Sequence, residues 1–191
     1  MSKSVLIISG SPMKDGNTAA LVDWFVQGAA SKGASTEVVR AASLGFKVNG
    51  CLSCRICQKN KEYTCMVGDD VRDVLGKMPA ADVIVFATPL YFFGPSAQTK
   101  LVFDRMFSLY KWNNQANTME TPLKGKTLAV IASAYEDVGL DALEKPFRLT
   151  ADYTGMKFFS LLIPNAGISG DIRKLPAAQS LAFAFGQKLA E

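Results

Sequence analysis

Residues 5–8, Val-Leu-Ile-Ile, form an unbroken apolar run that stops at Ser9-Gly10-Ser11, and a helical pattern takes over from Thr18. A run without polar alternation suits a strand covered on both faces, which is the situation of a strand inside a parallel sheet. Parallel neighbours must be joined by crossovers, usually helices, so this stretch points to an α/β chain. Ser9, Gly10, Ser11, Gly16, Asn17 and Thr18 put hydroxyls, an amide and open backbone N–H groups at the positive end of the following helix, with Asn17 as the predicted N-cap. That chemistry suits a phosphate. Two familiar phosphate loops are excluded. Counted from Gly10, the triphosphate loop would need glycine where Asp15 stands and lysine where Asn17 follows Gly16. The dinucleotide loop fails because Ser11-Pro12 follows Gly10. A monophosphate site and an ordinary βα turn both remain compatible with these residues.

The alternation continues along the chain. Helical spacing covers Thr18–Lys32 and stops at Gly33; a short β-branched strand follows at Thr36–Val39; Leu44–Glu62 is irregular and polar. Asp69 and Asp70 open a helix through about Met78, and Val83–Thr88 is a second buried-type strand. Ala97–Leu109 reads as one helix with more than one apolar stripe, one of them a candidate dimer face. Tyr110–Lys124 reads as a polar surface loop or lid. Thr127–Ala132 is a third buried strand, Ala142–Thr154 a helix in which Pro146 sits in a first turn or breaks it, Phe158–Ile163 the last strand and Ala177–Ala190 the closing helix. The expectation is a three-layer α/β fold with a five-stranded parallel sheet and helices on both faces, in one domain over 1–191, with a cysteine-bearing insertion at about 44–69.

Pro89, Leu90, Tyr91, Phe92, Phe93 and Gly94 follow the second buried strand, and Ser133, Ala134 and Tyr135 follow the third. In an open α/β sheet ligands bind beyond the carboxyl ends of the strands, where strand order reverses. These two segments and the Ser9–Thr18 loop therefore make three walls of one site, suited to a flat, partly apolar ligand carrying a phosphate. The commoner fate of aromatics in a row is to fold under into the core or a subunit contact, and it is the position of these three at the strand ends that favours the site.

The chain has no histidine, which removes the Ser-His-Asp triad, the H-E-x-x-H zinc site and imidazole acid–base chemistry, so an enzyme built from it would rely on a cofactor. Its net charge of +4 is spread without a basic block, which gives no nucleic-acid footprint. No apolar stretch reaches the ~20 residues of a membrane helix, and a cytoplasmic location is expected.

GSPMKDGNT at Gly10–Thr18, CLSCRICQKNKEYTC with GDD at Gly68–Asp70, and ATPLYFFGPSAQTKLVFDR ending at Arg105 together resemble the flavodoxin-like, NAD(P)H-dependent FMN reductases and their iron–sulfur flavoprotein branch. After Lys124 the likeness is one of pattern. The resemblance implies sheet order 2-1-3-4-5 and an FMN phosphate held by Ser11, Asn17 and Thr18 with Ser9 in support. It implies that Pro89–Gly94 wraps the isoalloxazine ring, with Ser133–Tyr135 nearby. It also implies ping-pong transfer of hydride from NAD(P)H through FMN to an acceptor, in a homodimer or larger assembly, with no protein acid or base required. Two other readings stand beside it: an electron carrier served by ferredoxin-like partners, and a ligand-binding or scaffold protein on the same fold.

Cys51, Cys54, Cys57 and Cys65 give C-x2-C-x2-C-x7-C, four thiols within 15 residues. The spacing resembles the iron–sulfur flavoproteins and fits a [4Fe-4S] cluster better than zinc, while thiols that are simply packed or redox-active fit it too.

Overall fold

A computed structural model describes residues 2–113 and 115–191. Five parallel strands, β1 (Ser4–Ser9), β2 (Ser35–Arg40), β3 (Val83–Tyr91), β7 (Thr127–Ser133) and β8 (Lys157–Ile163), lie in the order β2-β1-β3-β7-β8. This is the expected order, with reversal between β1 and β3. The Gly94–Pro95 strand (β4) pairs antiparallel with the end of β3, and β5 (Lys111–Asn113) and β6 (Thr118–Glu120) form a separate hairpin. The segment expected to be a polar loop thus contains paired strands; Asn114 lies outside the described residues.

The apolar runs explain the layers. Along β1, Leu6 and Ile8 enter one core while Val5 and Ile7 enter the other; β3 divides Ile84 and Phe86 from Val83, Val85 and Ala87 in the same way. Strict alternation of side-chain direction sends every second residue to each face, so a strand apolar throughout needs a cover on both sides. One cover is α3 (Asp70–Lys77), α4 (Ala97–Phe103) and α5 (Leu140–Thr154), centred on Phe86, Phe103 and Phe147 with ring centroids 4.5–5.6 Å apart. The other is α1 (Asn17–Ser31) with α6 (Ala178–Ala190).

These last two helices meet backbone to backbone. A Cβ on Gly28 would stand 2.0 Å from the Phe183 carbonyl oxygen, and one on Gly186 would stand 2.1 Å from that of Phe25. Gly186→Ala is therefore expected to destabilise the protein by roughly 1–3 kcal/mol through overpacking, read as a lower urea midpoint at unchanged m value.

Three expectations change. Ala97–Leu109 is not one helix: α4 ends at Phe103 and a 3₁₀ turn runs over Asp104–Leu109. Val102, Phe103, Met106 and Leu109 are buried in the core, so the stripe considered for a dimer is largely used within the chain. Pro146 neither starts nor breaks α5 but sits inside it, where burial of Leu143, Phe147 and Ala151 on the sheet outweighs one lost backbone hydrogen bond.

Candidate functional site

The carboxyl ends of β1, β3 and β7 bring the three predicted walls together. Gly10 is the hinge of the first. Its N–H donates to the Ala87 carbonyl at 2.8 Å, and its own carbonyl accepts from Ser96 Oγ at 2.6 Å. Ser96 Oγ also lies 3.0 Å from Thr99 Oγ1 and caps α4 by accepting from the Thr99 N–H; the Ser96 N–H donates to Thr88 Oγ1 at 2.9 Å. Thr88, Ser96 and Thr99 are fully buried. Because the Ser96 proton is committed to Gly10, Thr99 must be the donor to Ser96. This hydroxyl network welds the Ser9–Thr18 loop to the segment after β3; Ser96 and Thr99 lie inside the ATPLYFFGPSAQTKLVFDR stretch, but nothing in their spacing pointed to a bond with Gly10.

Ser9, Ser11 and Thr18 are buried around the loop, and Ser11 Oγ accepts from the Met13 N–H at 3.2 Å. Asn17 departs from expectation. Gly16 is the N-cap and Asn17 the first residue of α1. Its side-chain amide reaches the loop after β8, donating to the carbonyls of Ala166 and Ile168 and accepting from the N–H groups of Gly170 and Ile172, so its contribution to an anion is the backbone N–H at the helix start. Arg173, which sequence spacing could not place here, donates to the Asp15 carbonyl at 3.4 Å and brings a positive charge to the rim.

The second wall is a tight hairpin rather than a loop. β3 runs through Pro89, Leu90 and Tyr91, Tyr91 pairs with Gly94, and Phe92 and Phe93 are the two turn residues, at φ 44° and 63°. Positive φ at both positions is the type I′ pattern of a two-residue hairpin, where Asn and Gly are favoured and bulky residues are strained. Two adjacent phenylalanines held there mark a segment whose geometry is imposed by its surroundings. Phe93 lies against Gly139, at which a Cβ would come within 2.3 Å of the ring, while Phe92 is fully exposed.

The third wall ends β7. Ser133 and Ala134 are buried and Tyr135 is exposed. Leu90, Phe92, Phe93, Tyr135, Glu136 and Val138 line a groove of about 380 Å³ beside the anion loop.

The cysteines behave differently. Cys51 and Cys54 are exposed, Cys57 is buried at the short helix α2 (Ile56–Lys59), and Cys65 accepts from Arg105 Nη2 at 3.3 Å. Ser53 and Arg55 adopt left-handed backbone, and Lys111 Nζ donates to the carbonyls of Cys57, Asn60 and Glu62, pinning the turn. Burial raises the Cys57 thiol above its ordinary range, outweighing the Gln58 bond and the Lys111 charge that favour the thiolate, with Cys51 and Cys54 adding to the rise. Among the described residues no three Cys, Asp or Glu side chains converge to hold a metal. The four-thiolate set a [4Fe-4S] cluster needs is not assembled in this arrangement.

A small polar loop after β1 and an aromatic groove after β3 and β7, all at the carboxyl ends of the strands, form the geometry on which comparison with known proteins bears. Residues 4–162 match the family described as NADPH-dependent FMN reductase. The chain belongs to that family. Among its relatives, an iron–sulfur flavoprotein of Methanocaldococcus jannaschii is 41% identical over 101 residues, 53% of this chain and 50% of that protein. One from Methanosarcina thermophila is 33% identical over 106 residues, 56% of this chain and 53% of that one. The chain thus aligns with about half the length of these relatives. In fold it is similar to an NAD(P)H:quinone oxidoreductase from Methanothermobacter marburgensis, with a TM-score of 0.78, 17% identity and 100% and 98% of the two chains covered. It is also similar to an FMN-dependent NADH-azoreductase from Bacillus anthracis solved with FMN, with a TM-score of 0.74, 14% identity and coverage of 99% and 100%. Among the described residues no helix is long and apolar enough to cross a membrane.

Proposed function

We propose that this protein is an FMN-dependent NAD(P)H oxidoreductase. The carrying observation is the welded pair of walls: the anion loop of β1 and the aromatic hairpin of β3, joined through Gly10, Ser96 and Thr99. The residues fit FMN because a helix start and buried hydroxyls face one phosphate, while the aromatic groove suits a flat ring. Ser9, Ser11 and Thr18 would offer side-chain hydroxyls and Asn17 its backbone N–H to the phosphate; Pro89–Gly94 and Ser133–Tyr135 would enclose the ring. When bound, FMN supplies two-electron exchange with a nicotinamide and onward transfer to an acceptor.

The chain's own residues position rather than react. With FMN bound, the hairpin and Tyr135 would shield one side of the ring, and backbone N–H donors at the strand ends would stabilise negative charge on it. A ping-pong exchange of hydride at one open face asks for no protein acid or base, because the cofactor carries the chemistry. We take the protein to act in the cytoplasm as a homodimer or larger assembly, with a small molecule or a protein as acceptor.

The test is anaerobic titration of FMN-loaded protein with NADPH and NADH. The expected result is stoichiometric FMN uptake and bleaching of the flavin absorbance by a reduced nicotinamide; protein that takes up no FMN ends the reading. A second reading, an iron–sulfur flavoprotein passing electrons to ferredoxin-like partners, draws on the names of the relatives and on the C-x2-C-x2-C-x7-C spacing. The thiol arrangement speaks against it. Protein purified without oxygen that contains neither iron nor labile sulfide would remove it.

A further inference from the structure

One side chain ties the anion loop to the far end of the site. Asn17 Nδ2 donates to the Ala166 carbonyl at 2.8 Å and the Ile168 carbonyl at 2.9 Å; Oδ1 accepts from Gly170 N–H at 2.9 Å and Ile172 N–H at 3.2 Å. A primary amide has two donor hydrogens and two acceptor lone pairs, and all four are used. The side chain has nothing left with which to bind a phosphate.

The segment it grips supports the third wall. Ala166 N–H donates to the Ala134 carbonyl at 2.8 Å, fixing the segment to the end of β7. At the next residue, Gly167, a Cβ would stand 2.0 Å from Tyr135 Cδ2 and 2.6 Å from Cε2, so the phenol ring rests on bare backbone. Tyr135 is 72% exposed and stands in the groove with Phe92 and Phe93. A large ring that exposed keeps one orientation only if something behind it is rigid, and the Asn17 clamp supplies that rigidity.

We propose that Asn17 is a positioning residue for the ring-binding wall. By holding the 166–172 segment it fixes Gly167 as the seat of Tyr135 and so sets the width of the groove for a flat ligand. The inference rests on the FMN reading above, and a comparison of two flavins separates it from a phosphate-ligand role, because riboflavin has the ring and lacks the phosphate.

The experiment measures FMN and riboflavin binding to the full-length apoprotein by quenching of flavin fluorescence, with thermal melts to confirm folding. Asn17→Ala is expected to weaken both flavins by about tenfold, leaving the ratio of their affinities unchanged, since the lost hydrogen bonds act on the ring wall. Gly167→Ala should act in the same way, and it tests the seat even if Asn17→Ala does not fold: no positive φ is required at Gly167, and the atoms nearest the added methyl are those of the Tyr135 ring. In a Tyr135→Ala background the Gly167→Ala change should have little further effect. An Asn17→Ala variant that weakens FMN while riboflavin binds as before overturns the proposal, as does a Gly167→Ala variant with unchanged affinity for both. Wild-type protein that binds neither flavin overturns the cofactor reading itself.

Discussion

Asp69→Ala is expected to cost about 3–5 kcal/mol of stability, measured by urea unfolding at neutral pH, because it leaves a buried guanidinium without its counter-charge. Asp69 and Arg105 are both buried and meet at 2.8 Å. The carboxylate also accepts from the Lys47 N–H at 3.1 Å and the Arg72 N–H at 3.3 Å, while Arg105 Nη2 donates to the Val67 carbonyl and Cys65 Sγ, both at 3.3 Å. Arg105 Nε has no partner, so the pair is already imperfectly compensated and tolerates further loss poorly. Replacing both partners with apolar residues, as in Asp69→Leu/Arg105→Met, should cost less than Asp69→Ala alone.

The same pair sets an acid limb. Burial pushes the Asp69 carboxyl upward, but the hydrogen bond from Arg105, those from the Lys47 and Arg72 N–H groups and the Arg105 charge together hold it below the usual carboxylate range. A carboxyl lowered in the folded state contributes stability that is complete above its unfolded value near 3.9 and is lost as pH falls through the folded value. Wild-type stability should therefore drop as pH falls below about 4, and this part of the acid limb should be missing in Asp69→Asn. Urea midpoints measured across that range check the slope.

Gly10→Ala is expected to weaken FMN binding by about a hundredfold and to destabilise the fold by roughly 1–3 kcal/mol. The new Cβ would lie 1.7 Å from Thr99 Oγ1 and 2.9 Å from Thr99 Cβ, so the loop or α4 must move and the Ser96–Gly10 bond with it. That displacement reaches both walls at once, which is why a single methyl has so large an effect. Flavin titration of Gly10→Ala and of Gly10→Ala/Thr99→Ala tests the cause: removing Oγ1 should recover part of the lost affinity, whereas equal loss in both variants would locate the damage elsewhere.

Several features were legible from residue patterns because their causes are local. Val5–Ile8, Val83–Ala87 and Leu128–Ala132 carry no polar alternation, and a strand of that kind has few places to go other than between two layers of helices. The loops after those strands then had to meet at one edge of the sheet. The hairpin escaped that logic. Phe92 and Phe93 are poor turn residues, and their conformation is set by Tyr91–Gly94 pairing and by the flat surface at Gly139. Asp69 carried a helix-start signal that was correct, since it caps α3, but its second role depends on Arg105, 36 positions away.

By itself the sequence determined the layer architecture, the sheet order through its family likeness, and the small, polar make-up of the Ser9–Thr18 loop at a helix start, because apolar runs and small polar residues act through their immediate neighbours. Tertiary structure alone decided what particular side chains do. Asn17 could cap its own helix or reach a segment about 150 residues later, and only packing brings that segment close enough to use all four of its hydrogen-bonding positions. The cysteines follow the same rule: their spacing permits a common ligand, but among the described residues no three of them gather as a metal-holding group, Cys57 being buried and Cys65 accepting from Arg105.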